Sequence, residues 1–114
     1  MNPAFWTRLG ELVASSRVAI DRPRGSAHPR FPENIYPLGY GYLEGTTSSD
    51  GQGIDVWLGS GDHSRITGVL CTVDLRKRDA ELKLLLGCTP EEAQMITEFL
   101  NAHSSFQCLL VPRP

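Results

Sequence analysis

The sequence contains no apolar run approaching the roughly 18–20 residues of a membrane-crossing helix, so a membrane-spanning role is not expected. It has no basic excess: 11 Lys and Arg stand against 13 Asp and Glu, for a formal charge of −2. Nucleic-acid binding usually needs a clear positive surplus, so DNA and RNA are not expected partners. Cysteine is scarce. Cys71, Cys88 and Cys108 are odd in number and widely spaced, with no Cys-x-x-Cys pair. That pattern suits neither a disulfide framework nor a zinc site; it suits small thiols in a reducing compartment. The opening Met1-Asn2-Pro3-Ala4-Phe5-Trp6 lacks the charged-then-apolar build of a secretory signal, so a cytoplasmic location is expected. A chain of 114 residues suggests a single domain, 1–114, with one modest core.

What is present divides into short elements. Asn2 is a fitting N-cap and Pro3 a fitting first helical residue, so a helix is predicted from residue 3 to 16. Phe5, Leu9, Leu12 and Val13 form its apolar face, with Trp6 beside it. Residues 17–21 read as a strand. The segment 22–34 carries three prolines and reads as a loop. Strand-like composition returns at Tyr36 and at 40–43, then again at 54–58 and 66–73. Residues 76–79 make a charged turn, and 81–86 alternate as a half-buried strand. Thr89-Pro90-Glu91-Glu92 is a capping box that opens a helix to about Ala102. Met95, Ile96, Phe99 and Leu100 are its expected buried face. Residues 106–111 close the chain as a strand. The order predicts a mainly β, α+β fold: a small OB-like antiparallel barrel of five to six strands, or a strongly curved sheet, with an N-terminal and a C-terminal helix.

The chemistry-bearing residues are four aspartates in two similarly spaced pairs, Asp50 with Asp55 and Asp74 with Asp79. Asp55 opens one predicted strand and Asp74 closes another. If those strands are neighbours, the carboxylates converge at one rim. Converging carboxylates repel each other and call for a hard cation, which takes oxygen ligands, water and substrate phosphate. Aspartate is equally a turn residue, and Asp50-Gly51 is turn chemistry in its own right.

Three motifs in one order resemble the soluble, magnesium-dependent inorganic pyrophosphatases. They are Tyr36-Pro37-Leu38-Gly39-Tyr40-Gly41, then Asp50-Gly51-Gln52-Gly53-Ile54-Asp55-Val56, then Gly68-Val69-Leu70-Cys71-Thr72-Val73-Asp74 with Asp79 five residues on. The resemblance implies a small closed barrel flanked by helices. It implies magnesium, with manganese as a substitute, held by Asp50, Asp55, Asp74 and Asp79, with Asp21 standing in for a further acid. Pyrophosphate or another small phosphorylated ligand would lie against Tyr36 and Tyr40, with Arg22 and Arg24 as cations of the proline-rich loop. The family commonly forms homo-oligomers, so self-association is expected.

The sequence departs from the family pattern at telling places. Gln52 sits where the family has the aspartate that orients or deprotonates the attacking water, and an amide cannot accept that proton at neutral pH. Glu81 sits where a phosphate-binding lysine is expected. Arg76-Lys77-Arg78 adds cations between two aspartates. They could neutralise phosphate or neutralise the carboxylates, and a solvated turn is the plain alternative. Two functional readings follow: a working hydrolase of phosphoric anhydrides, and a non-catalytic module that binds a phosphorylated ligand or a protein partner.

Overall fold

The computed structural model describes residues 2–114. Helix α1 spans Pro3–Ala14 and α2 spans Pro90–Asn101. Strands β1 (Val18–Arg22), β2 (Gly39–Leu43), β3 (Ile54–Leu58), β4 (Ile66–Asp74), β5 (Asp79–Leu86) and β6 (Phe106–Pro112) form one sheet. Both helix starts follow from capping. The Asn2 side chain accepts from the Phe5 amide at 3.2 Å. At Thr89 the hydroxyl accepts from the Glu92 amide while the Glu92 carboxylate accepts from the Thr89 amide, at 3.1 and 2.9 Å.

The strand order is β1-β2-β3-β5-β4-β6. Every neighbouring pair is antiparallel except β3–β5, which is parallel. This corrects the antiparallel expectation. The β4–β5 hairpin folds back so that β5, rather than β4, lies beside β3. The sheet is also not closed: β1 and β6 are its two edges. It is a mixed six-stranded sheet with two helices.

Alternation along the strands splits the core in two. Leu43, Val56, Leu58, Val69, Leu84 and Leu86 pack with Trp6 and Val13 of α1. Trp57, Leu70 and Leu85 face the other way and pack with Ala93 and Ile96 of α2. The helix faces differ from expectation in detail. Trp6 is buried while Phe5 is 40% exposed, and Ala93 is buried while Met95 is 41% exposed. A helix bearing on a sheet buries one narrow stripe, and the small Ala93 permits close approach.

The Tyr40-Gly41 step has a steric reason. A Cβ on Gly41 would overlap the carbonyl oxygen of Ala19 on the twisted edge strand β1. Only glycine lets β1 lie this close.

Candidate functional site

Residues two apart on β5 share a face, so Asp79, Glu81, Lys83 and Leu85 line up along it. Opposite them on β4 lie Asp74, Thr72 and Leu70, paired in register with Asp79, Glu81 and Lys83. On the other flank, Val56 of β3 pairs with Leu84, which sets Asp55 one step away beside Lys83. Tyr40 on β2 pairs with Trp57 on β3. The strand order therefore gathers side chains from β2, β3 and β5 at one point.

That point is occupied by an ammonium group. Lys83 is only 6% exposed. Its Nζ donates to Asp55 Oδ2 at 2.7 Å, to Tyr40 Oη at 2.9 Å and to Glu81 Oε1 at 3.1 Å. A lysine has three donors, and all three are used. Burial acts to lower the lysine pKa, but the Tyr40 oxygen and the Asp55 carboxylate outweigh it and hold the ammonium above its ordinary range. Burial likewise pushes the Tyr40 phenol up, so it stays protonated at neutral pH.

An acidic cluster shares Glu81 with this group. Carboxylate oxygens of Asp50, Asp79 and Glu81 all fall within 4.8 Å of one another. Lys77, on the β4–β5 turn, stands 3.8 Å from Asp79 Oδ2 and 4.0 Å from Asp50 Oδ2. Its side chain is largely exposed, so water and salt screen that contact. Across the whole site, four carboxylates face two ammonium groups. The donors in the cluster are all carboxylate oxygens, the set a hard divalent cation takes.

Beside Lys83 opens a cavity of about 480 Å³ between the sheet, the end of α2 and the proline-rich loop. Tyr36, Tyr40, Trp57 and Phe99 make much of its wall, and Lys83, Arg76 and Asp74 bring charge to it. Burial raises the Tyr36 phenol, with Arg22 pulling the other way. The volume falls in the range of small-molecule sites.

The predicted site residues divide by place. Asp50 and Asp79 meet in the acidic cluster, and Glu81 joins them. Asp55 is paired with Lys83 instead. Asp74 pairs in register with Asp79, but its Oδ1 accepts from the amides of Arg76 and Lys77 at 2.9 and 3.2 Å. Its place is at the head of a turn, and β5 separates it from Asp55 on β3. Gln52 lies in an exposed turn whose amide donates to Asp50 Oδ1 at 2.9 Å. Tyr36 and Tyr40 line the cavity. Arg22 lies at the end of β1 near Tyr36. Arg24 lines a different cleft, with Leu58 and His63, and Asp21 is exposed on edge strand β1. Neither Arg24 nor Asp21 belongs to the cluster or lines the cavity. The sequence reading missed Lys83. The signal was available: Lys83 stands two residues after Glu81 and so shares its face of the strand.

No protein-family model matches the chain, and no curated protein matches it. Among solved structures it is similar to the inorganic pyrophosphatase of the pathogenic bacterium Helicobacter pylori. The TM-score is 0.58 at 17% identity, over 87% of this chain and 84% of that one. At that identity the likeness establishes a shared fold. No helix among the described residues is long and apolar enough to cross a membrane.

Proposed function

We propose that this protein is a slow, cation-dependent hydrolase of phosphoric anhydrides of the inorganic pyrophosphatase type, with pyrophosphate as its first substrate. The observation that carries the reading is the meeting of Asp50, Asp79 and Glu81, joined through the Glu81–Lys83 contact to a cavity lined by Lys83, Arg76, Tyr36 and Tyr40, in a chain that shares a pyrophosphatase's fold. Asp50, Asp79 and Glu81 would hold magnesium or manganese, which would neutralise phosphate oxygens and make water more acidic.

The chain's own residues have separable parts. Arg76 reaches the cavity and offers a guanidinium fork to a phosphate. Tyr40 and Lys83 form a fixed wall in which the ammonium is already paired with Asp55 and Glu81, so Arg76 is the cation left to meet an anion in the cavity. Gln52 can orient a water through its amide but cannot take its proton. Loss of a general base costs about 10²–10⁴-fold in rate, which is why the enzyme is proposed to be slow. A cytoplasmic setting suits the free thiols of Cys71, Cys88 and Cys108.

A second reading is a binding module without turnover. Two observations favour it: the neutral Gln52, and Asp55 held by Lys83. Phosphate release from pyrophosphate with magnesium or manganese, run beside calorimetry of pyrophosphate binding, separates the two. Cation-dependent release that is lost in Asp79→Asn supports the hydrolase. Binding without release supports the module. Gln52→Asp should raise the rate if the missing base is the limiting part.

A further inference from the structure

We infer that Lys83 is a resident cation that occupies one of the site's cation positions, so that Asp55 is closed to divalent ions and the site takes a single ion, at Asp50 and Asp79 with Glu81. This rests on the proposed cation-dependent site and specifies how many ions it holds and which carboxylates receive them.

The geometry is that of a filled position. The Lys83 ammonium sits among three oxygens at 2.7, 2.9 and 3.1 Å, supplied by Asp55, Tyr40 and Glu81. Each of its protons has an acceptor, and the group is buried. Two carboxylates converging on one point are what a magnesium ion with several waters would otherwise use. A divalent ion brought to that point would meet the ammonium at contact distance, in a place shielded from water where repulsion is strong.

The neighbouring position differs in each respect. The cation near Asp50 and Asp79 is Lys77, at 4.0 and 3.8 Å on an exposed side chain. A long, solvated lysine swings away at little cost. Glu81 stands between the two positions. Its Oε1 serves Lys83, while its Oε2 has, among the described residues, only the 3.4 Å contact from the Ser48 hydroxyl. The same carboxylate can therefore anchor the resident ammonium and offer an oxygen to an incoming ion.

The consequence is a change of ion stoichiometry on removing one side chain. Lys83→Met keeps most of the apolar stem and deletes the charge. It leaves Asp55 and Glu81 facing each other without a cation, which a divalent ion should then supply. Titration with manganese, read by calorimetry and by the loss of the free-ion electron paramagnetic resonance signal, should give one ion for the wild type and two for Lys83→Met. Asp79→Asn should remove the wild-type ion, and the double variant Lys83→Met/Asp79→Asn should keep the added one. A wild type that binds no ion would overturn the proposed cation site. The inference on Lys83 is judged separately, by whether the variant binds one ion more than the wild type. An unchanged count overturns it. If Lys83→Met is unfolded in the absence of metal, circular dichroism during manganese addition gives the same reading. Refolding with the cation is expected, and a chain that stays unfolded at saturating cation contradicts the inference.

Discussion

Lys83 Nζ lies 2.7 Å from Asp55 Oδ2, a contact that ties β5 to β3 across the one parallel pair of the sheet. Removing one member of a buried pair leaves the other charged and unpaired, an effect of about 3–5 kcal/mol. Asp55 is partly exposed, so Lys83→Ala should cost about 3 kcal/mol in urea unfolding, at the lower end of that range. The folded pKa of Lys83 is raised. Its contribution is therefore fully present below the unfolded pKa of about 10.4, and fades only as pH rises through the folded value. The stability difference between wild type and Lys83→Ala should be flat from pH 6 to 9, roughly the range below that limit. A difference that shrinks within that window would show that Lys83 is not held as an ammonium.

His28 carries the opposite sign. Its Nδ1 accepts from the amides of Arg30 and Phe31 at 3.0 and 3.2 Å, which requires that nitrogen to be unprotonated. Burial, with Arg22, His103 and Arg30 nearby, lowers its pKa, while Glu33 pulls weakly upward. A lowered folded pKa means that the stability is present above the unfolded value of about 6.5 and is lost as pH falls through the folded one. The urea midpoint of the wild type should drop, relative to His28→Asn, between about pH 7.5 and pH 5, a span that brackets the unfolded value. Parallel curves for the two proteins would remove His28 from the account.

Gly41→Ala tests the close approach of β1 to β2. The new methyl would overlap the Ala19 carbonyl, and the backbone there has no flexible end to yield. A loss of about 2–3 kcal/mol is expected, at the upper end of ordinary overpacking. By contrast, Gly10→Ala meets open space on α1 and should be neutral or stabilising. Thermal unfolding of the two variants, side by side, reads the contrast.

The sequence showed local rules well and neighbour relations poorly. Asn2-Pro3 and the Thr89–Glu92 box are signals carried by adjacent residues, and both helices begin where they predict. The six strands also fall near their expected places. The strand order was not legible, because inserting β5 between β3 and β4 is decided by how the β4–β5 hairpin packs. That order determined the site. With β4 beside β3, Asp55 and Asp74 would have met. With β5 between them, Asp55 meets Lys83 and Asp74 caps a turn. Lys83 escaped notice because Leu82, Leu84 and Leu86 looked like the buried face of the strand. That holds for Leu84 and Leu86, which are buried against α1, while Leu82 is 38% exposed; the opposite face is buried as well, with Leu85 under α2 and Lys83 at the cavity.

The most direct test of the proposed activity is phosphate release from pyrophosphate by the purified chain with magnesium, compared with Asp79→Asn under the same conditions. Slow release that requires the cation and disappears in Asp79→Asn is expected, with both proteins folded by circular dichroism. Release that persists in Asp79→Asn or without a divalent cation, or no release above that variant, would contradict the proposed activity.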